Sequence, residues 1–120
     1  MLNQENKNIV RRIFDSLNDR DLDAVVADYT PDCRFHGWAP ETLNVAGYKA
    51  NMSALLEAFP DSRFPVEDIV AEGDRVVVRH SLRGTHGAAF QGIPATGNPV
   101  TVEAIAIFRL ENSKAAEIWL

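Results

Sequence analysis

The chain has 120 residues, of which 46% are hydrophobic, and this suits one domain with a single core rather than two. Acidic residues outnumber basic ones by 17 to 12, and the net charge of −5 argues against a surface for nucleic acid or an anionic membrane. Cys33 is the only cysteine, so the chain can form no internal disulfide and no thiolate metal cluster. No signal-like start or run of eighteen apolar residues occurs, and we expect a cytoplasmic protein.

Two helices are predicted at the start of the chain. Apolar side chains recur at helical spacing between Asn6 and Leu17, with polar residues on the other positions. Asp21 can cap a second, short helix, whose apolar face reaches Tyr29 and which ends before Pro31. Both helices are amphipathic, so each predicts one buried face.

A short strand and a third helix follow. The segment Cys33–His36 predicts the strand, and Gly37–Pro40 predicts a loop. The third helix ends at Pro60, and its apolar positions are Tyr48, Met52, Leu55, Leu56 and Phe59.

Beyond residue 60 the apolar side chains recur at about every second position, which predicts two antiparallel hairpins. The predicted strands are Arg63–Ala71, Arg75–Arg83, Val100–Leu110 and Ala115–Leu120. The turns are Glu72–Asp74 in the first hairpin and Asn112–Ser113 in the second. Helices followed by antiparallel strands predict an α+β fold, with three helices packed on one curved sheet. We expect residues 1–120 to form one domain, with a last strand that is truncated at Leu120.

The alternation of side chains assigns faces to the strands. On Arg75–Arg83 the apolar positions include His80, which we therefore expect to point toward the helices. On Val100–Leu110 both faces are apolar. One holds Ile105 and Ile107, and the other holds Ala104, Ala106 and Phe108. Because the helices can cover only one face, we predict a homodimer through the sheet.

A two-residue turn at Asn112–Ser113 sets the register of the second hairpin. It pairs Phe108 with Glu117 and Ala106 with Trp119, so that Glu117 and Trp119 share a face with the alanines. Small residues among aromatics leave space, and a concave apolar cavity with few polar groups is typical of a small-molecule site.

The three histidines are candidates for acid–base chemistry. His86 lies between Gly84 and Gly87, where the backbone can approach a ligand; otherwise it is a loop histidine bonded to nearby backbone. His80 is either a site residue or a satisfied core histidine. His36 either lines the mouth of the cavity or is a plain surface residue. Their spacing does not match a zinc site, and we expect no metal.

Two glutamates lie within predicted strands. Burial of Glu117 among apolar groups would raise its pKa toward the range of a general base, whereas Glu103 fits a surface or interface ion pair better. The aromatic residues Trp38, Phe90, Phe108 and Trp119 are either core residues or a platform for a ligand.

Several segments resemble one known family. They are Arg83–Gly87, Phe90–Gly97, Ile107–Arg109 and Glu117–Trp119. Together they resemble the SnoaL-like polyketide cyclase family of the nuclear-transport-factor-2-like superfamily, and the resemblance covers nearly the whole chain. It implies three helices in a strongly curved, mainly antiparallel sheet, a cone-shaped half-barrel around an apolar cavity, and commonly a dimer.

The resemblance also implies a chemistry. The family's cyclases close a ring by an intramolecular aldol step without cofactor or metal, using a carboxylate that removes a proton next to a carbonyl. The usual aspartate lies on the last strand near the tryptophan, but this chain has no aspartate after Asp74 and has Ile118 beside Trp119. Three alternatives are open: Glu117, His80 or His86 replaces it, the protein is not catalytic, or the aspartate belongs to residues beyond Leu120.

Two hypotheses follow. The first, which we favour, is a cofactor-independent cyclase-like or isomerase-like enzyme that binds a small apolar carbonyl compound, with His86, Glu117 and His80 as catalytic residues. Its expected ligand-binding residues are Tyr29, His36, Trp38, Met52, Phe90, Phe108 and Trp119. The second is a non-catalytic small-molecule-binding protein or dimeric scaffold of the same fold.

Overall fold

A computed structural model describes residues 2–120 as three helices and five strands. The elements in chain order are α1 (Leu2–Asn18), α2 (Leu22–Ala27), β1 (Tyr29–His36), α3 (Val45–Ala58), β2 (Val66–Glu72), β3 (Arg75–Thr85), β4 (Pro99–Glu111) and β5 (Lys114–Trp119). None of the helices in this range is long and apolar enough to cross a membrane.

Side-chain caps begin α2, as the sequence predicts, and α3, for which no cap was predicted. The Asp21 carboxylate accepts a hydrogen bond from the Ala24 amide at 3.1 Å and so caps α2. Asn44 caps α3 in the same way through the Gly47 amide, at 2.8 Å. The end predicted for α2 was wrong, because Tyr29 already pairs with β5 as the first residue of β1.

The sheet has the strand order β1-β5-β4-β3-β2, with β1 and β5 parallel and the other pairs antiparallel. This confirms the α+β class and a mainly antiparallel, mixed sheet. The strongly curved half-barrel is not confirmed. No pairing joins the edge strands β1 and β2, so the sheet stays open.

Both predicted hairpin turns are confirmed. Gly73 has a φ of +60° between β2 and β3. Asn112 and Ser113 have φ values of 51° and 66°, the pair of positive angles that a two-residue turn between twisted strands requires.

The register predicted for the second hairpin was wrong beyond its turn. Leu110 pairs with Ala115, but Arg109 pairs with Glu117, so a bulge leaves Ala116 as an extra residue on β5. As a result Phe108 pairs with Ile118 and not with Glu117. A shift of one residue reverses the face of every later side chain, which moves Glu117 and Trp119 to the face away from the helices.

The core lies between the helices and the inner face of the sheet. Val76 and Val78 are fully buried there, as the alternation on β3 predicted. Ile118 of β5 is also fully buried, and Phe108 of β4 lies beside it in the same core. The inner face is therefore apolar, and it forms one wall of a pocket.

Candidate functional site

A pocket of about 180 Å³ lies between the helices and the inner face of the sheet. Its lining is almost wholly apolar, and five of the predicted site residues belong to it: Tyr29, Trp38, Met52, His80 and Phe108. No carboxylate among residues 2–120 lines this pocket. Val102 and Leu120 also line it and are about half exposed, so they mark the side that opens to solvent.

His80 is the titratable imidazole of this pocket. Strand β3 directs it inward, and its ring centroid lies 4.9 Å from that of Phe14. Its Nδ1 atom is buried and has no hydrogen-bond partner among the described residues. Burial lowers the pKa of His80 below its ordinary value of 6.5, so the imidazole is neutral at pH 7 and able to accept a proton.

Two buried tyrosines provide the other polar groups of the pocket. The Tyr29 hydroxyl donates a hydrogen bond to the Tyr48 hydroxyl at 3.1 Å, and both side chains are less than 5% exposed. Burial raises the pKa of Tyr48 to about 12 and that of Tyr29 well above its usual value, so both phenols stay protonated. Tyr48 thus keeps one proton, for which residues 2–120 supply no acceptor.

Aromatic packing holds Tyr48 in place. Phe35 stacks on it with ring centroids 4.3 Å apart, and Trp38 contacts it edge-on at 5.7 Å. Trp38 follows Gly37, whose φ of +104° turns the chain back against Leu120. A β-carbon on Gly37 would lie 2.6 Å from the Leu120 carbonyl oxygen, so this close approach requires glycine.

Glu117 lies outside the pocket, on the outer face of the sheet. Its Oε2 atom is 2.7 Å from His36 Nε2, and its Oε1 atom is 3.4 Å from Arg109. Trp119 stacks on the His36 ring at 5.5 Å, beneath the Arg75 guanidinium at 5.3 Å. The hydrogen bond to His36, helped by Arg109, lowers the pKa of Glu117, whereas the sequence analysis expected burial to raise it.

His86 and Phe90 also lie away from the inner pocket. His86 is buried against Phe59, with ring centroids 5.4 Å apart, and its Nδ1 atom is 3.2 Å from the Thr96 hydroxyl. Its backbone carbonyl accepts a hydrogen bond from the Gly97 amide. Phe90 packs on Phe59 from the same loop. The His86 side chain thus bonds to a loop hydroxyl through Nδ1, while its Nε2 atom is buried without a hydrogen-bond partner among residues 2–120.

The sequence analysis missed one polar group of the pocket. Tyr48 was placed on the apolar face of α3 but was not named as a site residue. The sequence did carry a signal for Tyr48, since a phenol on a buried helix face needs a hydrogen-bond partner.

Cys33 is not a reactive thiol, because burial raises its pKa to about 12 and so keeps it protonated. No cluster of three potential metal ligands occurs within residues 2–120.

Known structures of the same fold match most of the chain. AclR of Streptomyces galilaeus, a candidate hydroxylase, is 28% identical, with a TM-score of 0.89 over 97% of this chain and 86% of that one. A candidate SnoaL-like polyketide cyclase from Jannaschia sp. CCS1 is 29% identical, with a TM-score of 0.86 and coverage of 98% and 84%. IdmH of Streptomyces antibioticus, a candidate polyketide cyclase, is 27% identical, with a TM-score of 0.83 and coverage of 95% and 88%.

No curated protein sequence matches the chain at a significant level. The family model of the SnoaL-like polyketide cyclases, in contrast, matches residues 7–120. These residues include all the segments on which the resemblance was based, and the match confirms it. The chain therefore belongs to the SnoaL-like polyketide cyclase family.

Proposed function

We propose that this protein binds a small, largely apolar carbonyl compound in the inner pocket and moves a proton at the carbon next to the carbonyl. One observation carries the proposal: the neutral His80 imidazole and the Tyr48 phenol, whose proton has no acceptor among residues 2–120, line one apolar pocket. The first can accept a proton and the second can hold an oxyanion, which are the two requirements of enolate chemistry. Family membership and the candidate polyketide cyclases of similar structure support the same reaction class.

The proposed step uses only these side chains. Tyr48 donates its hydrogen bond to the carbonyl oxygen, while His80 removes the proton from the adjacent carbon. The electrons of the broken C–H bond form the enolate, and the imidazole becomes an imidazolium. Attack of the enolate carbon on a second carbonyl of the same molecule would close a ring, as in a cyclase, and the imidazolium would then give its proton to the alkoxide that this attack forms. Return of the proton to a different carbon would give an isomerase.

The proposal assigns the role of general base to only one of the three predicted candidates. Glu117 is on the opposite face of the sheet and is held ionised by His36 and Arg109. His86 is enclosed by the loop that carries Thr96 and does not line the pocket. Of the three, His80 alone lines the inner pocket, so we assign it the role of base.

Proton exchange into a simple ketone tests the assignment. We would incubate 1-tetralone with the protein in D₂O and follow loss of the α-proton signals by NMR, after subtracting exchange caused by buffer. Replacement of a general base lowers rates by about 10²–10⁴-fold, so His80→Gln should abolish most of the protein-dependent exchange. Glu72→Gln, at the exposed end of β2, serves as the control and should exchange like the wild type.

The pH profile provides a second readout. Because burial lowers the pKa of His80, the rate should rise with pH through a midpoint below 6.5 and be flat between about pH 7 and 8. Equal exchange by His80→Gln and wild type would disprove the role of His80.

A non-catalytic binding protein is the second candidate function. The absence of any carboxylate from the pocket lining within residues 2–120 favours it, because the family's cyclases use a carboxylate as base. In that case 1-tetralone would bind and shift the Trp38 fluorescence, but its α-protons would exchange no faster than in buffer.

We further propose that the outer face of the sheet forms a homodimer. Ile105 and Val70 are 58% and 60% exposed, and Ile107 on the same strand as Ile105 is 38% exposed. A second copy would remove this apolar surface from water. Sedimentation at micromolar concentration should report a dimer, and Ile107→Lys should convert it to a monomer. A monomeric wild type would refute this arrangement.

A further inference from the structure

Tyr29 is a polar residue of the inner pocket that has no role in the proposed step. It begins β1, where it pairs with Ala115 of β5, and its side chain is only 4% exposed. Its ring meets the rings of Phe35 and Tyr48 edge-on, with centroids 5.1 and 5.3 Å apart. The strand and these two rings therefore hold the Tyr29 side chain in one position beside Tyr48.

The hydrogen bond between the two phenols has a direction. A phenol has one proton, and Tyr29 donates its proton to the Tyr48 oxygen at 3.1 Å. Burial raises the pKa of both phenols, and the shared hydrogen bond raises the pKa of Tyr29 further while it lowers that of Tyr48. The Tyr48 oxygen is therefore the better of the two at carrying negative charge, which makes its own proton easier to share with a ligand.

Aromatic packing alone does not fix the Tyr48 hydroxyl. Phe35 stacks on the Tyr48 ring at 4.3 Å and Trp38 contacts it edge-on, but a phenolic hydrogen can still rotate about its C–O bond. Donation from Tyr29 occupies one side of the Tyr48 oxygen, so the Tyr48 hydrogen turns to another side, where no acceptor within residues 2–120 takes it. Both tyrosines line the apolar pocket, and in such surroundings hydrogen bonds in series strengthen each other.

We propose that Tyr29 is a positioning residue, which orients and strengthens the hydrogen bond that Tyr48 donates to a carbonyl oxygen in the pocket. Its hydroxyl acts on Tyr48 and not on the ligand. As negative charge develops on the carbonyl oxygen, the Tyr48 proton is drawn toward that oxygen and the Tyr29 proton toward Tyr48, but neither O–H bond breaks. The benefit to the reaction rests on the proposed function, whereas the benefit to carbonyl binding does not require that any reaction takes place.

The carbonyl carbon of bound 1-tetralone reports this hydrogen bond directly. When that carbon is labelled with ¹³C, its NMR signal moves downfield as the oxygen accepts a hydrogen bond, and the shift is extrapolated to saturation with protein. Tyr48→Phe removes the donor and defines the shift without it. Tyr29→Phe should lose about 10–30% of the difference between wild type and Tyr48→Phe, because neighbouring hydrogen bonds strengthen each other by that fraction. Equal shifts in Tyr29→Phe and wild type would overturn the proposal. So would a larger loss in Tyr29→Phe than in Tyr48→Phe, which would make Tyr29 the direct donor.

The exchange reaction and a hydrocarbon ligand separate positioning from packing. One hydrogen-bond donor to an oxyanion is worth about 10²–10³ in rate, and 10–30% of that effect in free energy is about two- to eightfold. Exchange of the α-protons by Tyr29→Phe should be slower than by wild type by that factor. Tetralin, which has the same two rings but no carbonyl, should bind Tyr29→Phe and wild type with equal affinity. Weaker binding of tetralin together with an unchanged carbonyl shift would reduce Tyr29 to a packing residue and refute its positioning role.

A stronger donor at the same position covers the case in which Tyr29→Phe does not fold. Replacement of Tyr29 by 3-fluorotyrosine keeps the ring and the hydroxyl but makes the phenol more acidic. The carbonyl signal should then move further downfield than in wild type, and a signal at or upfield of the wild-type position would contradict the proposal.

The role of Tyr29 and the proposed reaction fail in different ways. A wild type that does not exchange α-protons, but whose carbonyl shift depends on Tyr29, would refute the proton transfer alone. Normal exchange with a carbonyl shift that Tyr29→Phe leaves unchanged would refute only the role of Tyr29. Failure of the wild type to bind 1-tetralone would refute both.

Discussion

The buried pair of tyrosines predicts a specific pattern of stability in single and double variants. Tyr29 donates to Tyr48 at 3.1 Å in an almost entirely apolar environment. Tyr48→Phe keeps the ring, and with it the stacking on Phe35 at 4.3 Å, but removes the acceptor. The hydroxyl of Tyr29 then remains buried without a partner. Tyr29→Phe likewise leaves the Tyr48 hydroxyl buried without a partner.

The expected changes in the free energy of unfolding follow from the cost of burying a hydroxyl group without a hydrogen bond. Leaving a buried polar group unsatisfied costs about 1–3 kcal/mol, so each single variant should lower the free energy of unfolding by that amount. The double variant removes both hydroxyls and leaves two phenylalanine rings in a pocket that suits them. Its loss should be smaller than the sum of the two single losses by about 1–3 kcal/mol.

Urea unfolding followed by tryptophan fluorescence measures this cycle, because Trp38 contacts Tyr48 directly. The free energies of the four proteins, extrapolated to water, give the coupling between the two hydroxyls. Losses that add to within about 0.5 kcal/mol would show that the two groups are not coupled. That result would also remove the basis for a free Tyr48 proton in the pocket.

Three further predictions concern the bulged strand, the tight turn at Gly37 and the pocket itself. The pKa of Glu117 is lowered, chiefly by its hydrogen bond to His36, so its contribution to stability is present above the ordinary pKa near 4.5 and is lost as pH falls through the lowered value. The difference in unfolding free energy between wild type and Glu117→Gln should therefore shrink as the pH of a urea titration falls below 4.5, and a constant difference would contradict this. Gly37→Ala should lower thermal stability by about 1–3 kcal/mol more than Gly73→Ala, because only at Gly37 does the new β-carbon meet backbone at 2.6 Å. Equal losses of stability for the two variants in calorimetry would show that Leu120 moves away from the new β-carbon. Ala104→Leu should fill the inner pocket, so that 1-tetralone binding is lost in a fluorescence titration while the melting temperature is retained. Retained binding would place the ligand elsewhere.

The fold was largely predictable because its signals are local. Helical spacing, the Asp21 cap and the two turns each depend on a few neighbouring residues, and all of them are present in the structure. The exception is Tyr29, whose helical spacing was overridden by pairing with Ala115 in a strand 86 positions later. The open form of the sheet is likewise a property of how distant strands meet, which side-chain alternation does not encode.

The site was less predictable, because it depends on which face each strand presents. His80 was placed correctly, since β3 pairs regularly with β4 along its whole length. Trp38 was predicted as an aromatic residue next to a turn, and Met52 was predicted from its helical spacing. Both line the pocket. His86 was singled out for its glycine neighbours, but those glycines serve close packing: a β-carbon on Gly84 would lie 3.2 Å from the Ser62 backbone.

The bulge at Ala116 has the largest consequence for chemistry. With regular pairing, Glu117 would enter the apolar pocket, where burial would raise its pKa toward that of a useful base. The extra residue instead places the carboxylate on the outer face, where His36 and Arg109 lower its pKa. A carboxylate that is stabilised in its charged form is a weak base, so this position works against catalysis by Glu117. In the proposed reaction the base of the inner pocket is therefore the imidazole of His80, and its lowered pKa should set the pH dependence of the α-proton exchange.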